Sequence, residues 1–378
     1  MNGVGNSALY DLWVFTLSNY DYTSDFDVCF PLHQFVVSDI MLAKDHVMIE
    51  GGTDYRRQMQ MTESGTATWT KPLARRSRHI GRVLAELQIP WRQVYAQQTT
   101  SMAELRRNRG KSKLKNLQKS KRIDAKLQLA KSFEQRFWLT PDDSGDETNL
   151  WGAPWYVVPI TGAQVTAATH GHQGTVPFYA DATSPTTVAN INPTTWPRFA
   201  NYNDVWSNAS GALAEADILK IGRMFRHLHW RAPAFIEDLK KGPLNKMRLL
   251  TDETLIEALE KSARSQNDSL GADVARYTGA GIVTLNAQGG PMVKGMPPTW
   301  VEELDTANTT LRGAHPFYML NGNNMRFAVE QGMYLAEDTP PRDVEQPDAA
   351  TTYYDLSGNI VIGDRQTVGG VISYVAAA

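Results

Sequence analysis

Ser112 to Leu139 reads SKLKNLQKSKRIDAKLQLAKSFEQRFWL, and this run decides how the rest of the chain is read. Leu114, Leu117, Ile123, Leu127, Ala130, Phe133 and Phe137 recur mostly at three or four residues, which predicts one helix with a narrow apolar stripe. At 1.5 Å rise its 28 residues make a rod of about 42 Å, long for a globular helix. Pro141 with Asp142-Asp143-Ser144-Gly145 ends it. Across its start, Arg106, Arg107, Arg109, Lys111, Lys113, Lys115, Lys119, Lys121 and Arg122 place nine bases in 17 residues with no acid. The bland reading is a solvated face. Against it, like charges this close repel unless something anionic neutralises them, and i,i+4 partners are missing. The bases are Lys-rich and lack an aromatic stacking platform, so phosphate backbone fits better than base readout. Lys111, Lys113, Lys115, Lys119, Lys121 and Arg122 are the candidates for that contact.

Upstream, residues 47 to 83 read as a long hairpin. Tyr55-Arg56-Arg57-Gln58-Met59-Gln60-Met61 goes out, Glu63-Ser64-Gly65 turns, and Thr66-Ala67-Thr68-Trp69-Thr70 returns. Neither strand has an apolar face large enough to hold it alone, so the hairpin is expected to lie on something else. Lys71, Arg75, Arg76, Arg78 and Arg82 follow without an acid and make a basic flap. Residues 1 to 46 carry Tyr10, Trp13, Phe15, Tyr20, Tyr22, Phe26, Phe30 and Phe35 at irregular spacing. That pattern fits an extended arm laying aromatic anchors on another surface, or a loop-rich cap on its own domain.

Downstream, 151 to 206 is rich in Gly, Pro, Thr and aromatics and reads as loops over a scaffold. Helical patterns run from about Gly211 to Trp230 and after Thr251-Asp252-Glu253. Strand-like runs follow at 281–285, 316–320, 360–362 and 371–374, giving a mixed α+β class.

The 378 residues carry 38 Lys+Arg against 40 Asp+Glu, a formal charge of -2, and one cysteine, Cys29. Length predicts about two domains. A lone cysteine excludes an internal disulfide and any cysteine-based zinc site, and a reducing compartment is its natural setting. The first ten residues have no basic or apolar signal pattern, and no apolar stretch nears the roughly 20 residues that span a bilayer, so neither export by a visible signal nor a membrane span is expected. Cut into segments, the charge is -6 over 1–50, +14 over 54–138 and -10 beyond. The neutral total therefore hides a basic segment suited to a polyanion, to acidic surfaces of other copies, or to both.

Catalytic patterns are weak. His227-Leu228-His229 places imidazoles at i and i+2 of a helix, facing apart, and His170-Gly171-His172 marks no third ligand. Gly279-Ala280-Gly281 precedes a strand instead of following one, and neither a phosphate loop nor a Gly-x-Ser-x-Gly elbow is present. No catalytic residue, cofactor site or metal site is assigned, and the chain is not expected to be an enzyme.

The order of these parts resembles the major capsid proteins of tailed phages with the Hong Kong 97 fold. The resemblance rests on the aromatic arm, the basic hairpin, Ile89-Pro90-Trp91, Glu104-Leu105 with Asn108-Arg109-Gly110, the long helix ending at Trp138, and Trp151-Gly152-Ala153-Pro154-Trp155-Tyr156. Gly289-Gly290-Pro291, Pro297-Pro298-Thr299-Trp300, Leu304-Asp305 and Asn321-Gly322 look like the axial domain of that family, and Asp355 to Tyr374 like closing strands of its peripheral domain. It implies an N-terminal arm at 1–46, an extended loop at 47–97, a peripheral domain at 98–206 with the spine helix 112–139, an axial domain and linker at 207–350, and return strands at 351–378. It further implies a shell subunit, assembled in a host cytoplasm into pentamers and hexamers of an icosahedral virion capsid around double-stranded DNA. The implied partners are other copies, packaged DNA bound without sequence preference, and scaffolding, portal and cement proteins, with no membrane. Inter-subunit contacts would come from Tyr55, Arg57, Met59, Met61, Trp69, Lys71, Arg75, Arg76 and Arg78 of the loop and from Trp13, Phe15, Tyr20 and Tyr22 of the arm. Some members cross-link through a loop lysine; Lys71 lies in that region without the matching acid and Asn context. The competing expectation is a cytoplasmic nucleic-acid-binding oligomer that grips DNA or RNA with residues 71–122.

Overall fold

In the computed structural model the run from Lys111 to Leu139 is a single helix. The structure describes residues 35–43, 46–65, 67, 69–72, 81, 83–103, 111–139, 141, 145–160, 170–179, 183–208, 210, 212–229, 247–268, 282–286, 289–306, 313–338 and 348–374, without the side chains at 43, 46, 111–118, 265–268 and 306. The class is mixed α+β. In chain order the strands are β1 (His46–Ile49), β2 (Asp54–Gln60), β3 (Leu84–Pro90), β4 (Arg92–Ser101), β5 (Gly171–Gly174), β6 (Asn201–Val205), β7 (Met247–Thr251), β8 (Val283–Leu285), β9 (Pro291–Val293), β10 (Pro298–Trp300), β11 (Ala314–Asn321), β12 (Met325–Glu330), β13 (Ala336–Asp338), β14 (Ala349–Ile362) and β15 (Gly369–Tyr374). The described residues fall into two compact units, the first drawn from 94–132 and 332–356, the second from 35–93, 133–331 and 357–374. No described helix is long and apolar enough to cross a membrane.

In the first unit the start of β14 pairs antiparallel with β13, Ala336 opposite Asp355, and β4 also pairs with β14. Tyr354 is buried there and its hydroxyl donates to Gln98 Oε1 at 3.3 Å. The helix buries Ala125 and Leu129 in this unit and Phe133 and Phe137 in the other, a strict four-residue row. Ile123, Leu127 and Ala130, which the periodicity places in the stripe, are only half-buried. A row at exact i+4 spacing drifts slowly around the helix, so it selects a different set from the looser three-or-four pattern.

The second unit is built on a six-stranded sheet in the order β10-β7-β11-β15-β6-β5, with β11 antiparallel to both β7 and β15. The helices Glu215–Leu228 and Glu253–Asp268 supply Ile221, Met224, Leu255 and Leu259 to a core shared with Tyr202, Leu249, Phe317, Met319 and Ile372. β12 pairs with β1 in parallel and with the end of β14 antiparallel. At the far end of the long helix Phe137 and Trp138 are fully buried; Trp138 stacks at a tilt on Tyr318, ring centroids 5.3 Å apart. Gly152 is required here, because a Cβ on it would lie 2.0 Å from the Phe137 carbonyl oxygen.

Three expectations need correction. The partner of β2 is Leu84–Pro90, with Tyr55 opposite Ile89, and not Thr66–Thr70. The choice follows burial: Leu87 and Ile89 are wholly buried, and Gln88 N–H donates to the Ala189 carbonyl at 3.0 Å, so the hairpin root is held by its own unit instead of resting only on something else. Val36–Ala43, inside the segment read as an arm or cap, is a helix. β14 and β15, read together as closing strands of one domain, lie in different sheets, separated by the turn of helix Arg365–Val368. Arg365 itself is fully buried and joins three distant segments, donating to the carbonyls of Tyr156 (2.8 Å), Phe199 (3.1 Å) and Thr175, with its guanidinium 5.2 Å from the Phe199 ring centroid. Burial lowers its pKa to about 9, which leaves it charged at neutral pH.

Candidate functional site

In the first unit the exposed bases of the helix are Lys119, Arg122, Lys126 and Lys131. Of the residues the sequence nominated, Lys121 turns to β4 and donates from Nζ to the Thr99 carbonyl at 3.0 Å. Arg122 donates from Nη2 to both carboxylate oxygens of Glu337, at 2.6 and 2.9 Å, and from Nε to the Tyr354 hydroxyl at 3.3 Å. The Tyr354 bond and then the Glu337 carboxylate hold its guanidinium above the ordinary arginine pKa. Lys111, Lys113 and Lys115 occupy the first turns of the helix, with side chains outside the described residues. The structure thus places the bases on one rod and shows two of them committed to neighbouring strands.

Beside that helix lies a small open groove of about 140 Å³, bordered by β4 residues 94–97 and by Asp124, Ala125, Gln128, Leu129 and Ser132. Ala125 and Leu129 are buried and Asp124 is exposed, so the floor is apolar and the rim carries a carboxylate. Tyr95, which borders it, is 66% exposed and packs edge-on to Tyr353 at 6.2 Å. Neither periodicity nor charge marked this groove.

In the second unit the hairpin presents its residues unequally. Tyr55 and Met59 are half-buried, Arg57 is exposed and Met61 is buried. Beyond Met61, Arg198 reaches Glu63 with two bonds at 2.9 and 3.1 Å, which lower the pKa of the glutamate. Trp69 is wholly exposed and Lys71 is exposed two residues later. Arg75, Arg76, Arg78, Trp13, Phe15, Tyr20 and Tyr22 lie outside the described residues.

The sequence marks Asp252 at a helix start and the pairs His170/His172 and His227/His229, but not their partners in this unit, and it does not mark Glu134 or His315. Glu134 is 1% exposed and accepts from Val37 N–H (3.0 Å), Ser38 N–H (2.9 Å) and the Trp138 indole (3.3 Å), so it caps the helix Val36–Ala43 from 97 residues away. Burial raises its pKa to about 7, with the Glu303 charge adding to the rise and the three donors opposing it. His172, His227 and Tyr202 form a ring cluster with centroids 5.1 to 6.0 Å apart. Burial lowers the pKa of both histidines; the charge of His227 adds to this for His172, and those of Arg226, His170 and Arg223 for His227. Among the described residues no three His, Cys, Asp or Glu side chains converge as metal ligands. Asp252 Oδ2 lies 2.5 Å from His315 Nδ1 while its Oδ1 accepts from Leu255 N–H, so this pair caps the helix Glu253–Asp268.

Over more than nine-tenths of its length the chain shares its fold with capsid subunits. The capsid asymmetric unit of Cyanophage A-1(L) superposes with a TM-score of 0.57 at 17% identity, over 94% of this chain and 97% of that one. The capsid of a native GTA particle gives 0.55 at 11% identity over 96% of each chain, and that of an empty GTA particle 0.52 at 12% over 93% and 100%. No family model matches the chain. No curated protein matches it either.

Proposed function

We propose that this chain is the major subunit of a virion capsid with the Hong Kong 97 fold, which closes through pentamers and hexamers into an icosahedral shell around double-stranded DNA and performs no catalysis. The observation that carries the reading is a likeness in fold to capsid subunits over more than nine-tenths of both chains. The physical features agree with it. A hairpin whose root is packed but whose far part carries a bare Trp69 and Lys71 is built to contact another molecule. A rod with Lys119, Lys126 and Lys131 in solvent offers phosphate contacts of low specificity. Heterologous contacts of this kind close rings and then shells.

The competing reading, a small nucleic-acid-binding oligomer gripping with 71–122, loses two of its bases to Thr99 and Glu337. Negative-stain microscopy of the purified chain separates the two. Closed particles of uniform size are expected; monomers or dimers alone, under every assembly condition, overturn the capsid reading.

A further inference from the structure

We propose that Arg223, Arg226 and His227, on one face of the helix Glu215–Leu228, bind an oxyanion of the phosphate type, with His170 beside them and His172 behind. The site lies within the second unit, and the proposal stands whether or not the chain assembles into a shell.

The three residues sit at i, i+3 and i+4, which brings their side chains to one side of the helix. Arg226 and His227 are exposed, and neither has a hydrogen-bond or ion-pair partner among the described residues. Arg223 approaches only Asp204, at 3.7 Å. That carboxylate is 3% accessible and already accepts from the Val205 amide at 2.9 Å and the Tyr202 hydroxyl at 3.3 Å, so one engaged acid faces two guanidinium groups. Lys220, the preceding cation of the helix, is held by Asp217 at 2.7 Å. The negative end of the helix dipole accounts for cations in a last turn. It does not account for the way the His227 ring is held. Its centroid lies 5.1 Å from that of Tyr202 on β6 and 5.8 Å from that of His172 on β5, so packing from two strands fixes the ring and leaves its nitrogens to a ligand.

The sign of the ligand follows from the neighbours. Burial, and then the charges of Arg226, His170 and Arg223, lower the pKa of His227. A metal ion would add to that positive field, and no three ligating side chains converge among the described residues. A tetrahedral oxyanion cancels it and accepts from both guanidinium groups at once. His172 backs the site as a neutral ring: burial and the His227 charge lower its pKa, against the Ala200 carbonyl and Asp364, and its Nδ1 is shut in without a partner. The anion therefore raises the lowered pKa of His227, so binding takes up a proton there and weakens as pH rises.

The test is equilibrium dialysis of the full, nuclease-treated chain against labelled sulfate, a tetrahedral oxyanion whose charge is constant from pH 6 to pH 8. One saturable site per chain is expected, about tenfold tighter at pH 6 than at pH 8. Arg226→Gln and His227→Gln should each weaken it about tenfold at pH 6, Arg226→Lys should weaken it less, and Lys261→Gln, an exposed lysine of another helix, should leave it unchanged. Arg226 and His227 are exposed, so the urea midpoint should stay in place. Absence of saturable uptake, uptake indifferent to both Gln substitutions, or a flat pH profile overturns the proposal. Uptake of zinc in place of sulfate does so too. Inorganic phosphate should displace the sulfate, and its failure to compete also overturns the proposal. A short DNA duplex then separates the sources of the phosphate: displacement by the duplex assigns the site to a nucleic-acid backbone, and retention assigns it to free phosphate or a phosphomonoester.

Discussion

The two ends of the helix Lys111–Leu139 obey the same backbone rules and serve opposite ends. On the first unit its bases Lys119, Lys126 and Lys131 stand in solvent, and Arg122 keeps half its surface exposed even while paired with Glu337. In the second unit Phe133, Phe137 and Trp138 are at most 3% exposed, and the one acid among them, Glu134, is tied to three donors. A charge left in water can meet many partners and contributes little to folding; an ionisable group taken out of water must be satisfied by fixed partners, and those partners tie distant segments together. The aromatic end belongs to the subunit. The basic end is available to something outside it.

The sharpest way to break this contrast is to empty the aromatic end. Trp138→Ala should cost about 3–5 kcal/mol, read as a lowered urea midpoint, because the indole is wholly buried against Phe137 and Tyr318. Lys119→Ala, at the other end, should leave the midpoint where it was. Equal effects would end the distinction.

Glu134 comes next. Glu134→Ala leaves the Val37 and Ser38 amides and the Trp138 indole without their acceptor, a loss of about 3 kcal/mol. The pH dependence has a definite sign. With a folded pKa of about 7 against an ordinary glutamate value of 4.5, the folded state holds the proton more tightly. The stability linked to Glu134 is fully present below pH 4.5 and is lost as pH rises through 7, about 3 kcal/mol in all. Denaturation at pH 5 and pH 8 should therefore show a smaller difference for Glu134→Gln than for the wild-type chain. Identical differences would mean that the three donors, and not burial, set its protonation.

These two ends were unequally legible. The helix itself is visible in sequence because its periodicity is long and Pro141 bounds it, and the basic stripe is visible by density alone. Which bases are spent is not, since Arg122 meets Glu337 across 215 residues. Glu134 and Arg365 are single ionisable groups in apolar stretches of sequence, and apart from the Trp138 indole the groups that satisfy them lie 96 to 97 and up to 209 residues away. The hairpin shows the same limit. Thr66–Thr70 has as good a strand composition as Leu84–Pro90, and the pairing was decided by the burial of Leu87 and Ile89, which no local pattern reports. The groove beside β4 depends on a β4–β14 pairing that joins Gln98 to Tyr354 across 256 residues. Local patterns find elements and charge density; they do not find what long-range contacts bury or spend.

Arg122→Ala tests a smaller effect, since it removes an ion pair exposed at both partners, with side chains 52% and 43% accessible. Its cost should stay below about 1 kcal/mol in the same urea measurement. A loss near that of Trp138→Ala would make the basic end a structural element in its own right and erase the difference between the two ends.

The smallest effect on folding should come from replacing Lys111, Lys113, Lys115 and Lys119 together by Gln, and the largest consequence for function. The urea midpoint should not move, because Lys119 is exposed and the other three precede it on the same basic run. Retained DNA should respond instead. Each phosphate contact neutralised by a lysine contributes about 0.9 to the slope of log affinity against log salt, so four lost contacts flatten that slope by about 3 to 4. Measured on assembled particles, the variant should therefore form shells at wild-type yield and release DNA at lower salt. If the slope is unchanged, the lysines are solvated and the DNA lies elsewhere. If nucleic-acid retention vanishes while the protein remains a small oligomer in both forms, the basic end is a grip and not a lining. Only a shell that forms and holds its DNA less tightly keeps both halves of the comparison: an aromatic end that makes the subunit, and a basic end that meets what the shell encloses.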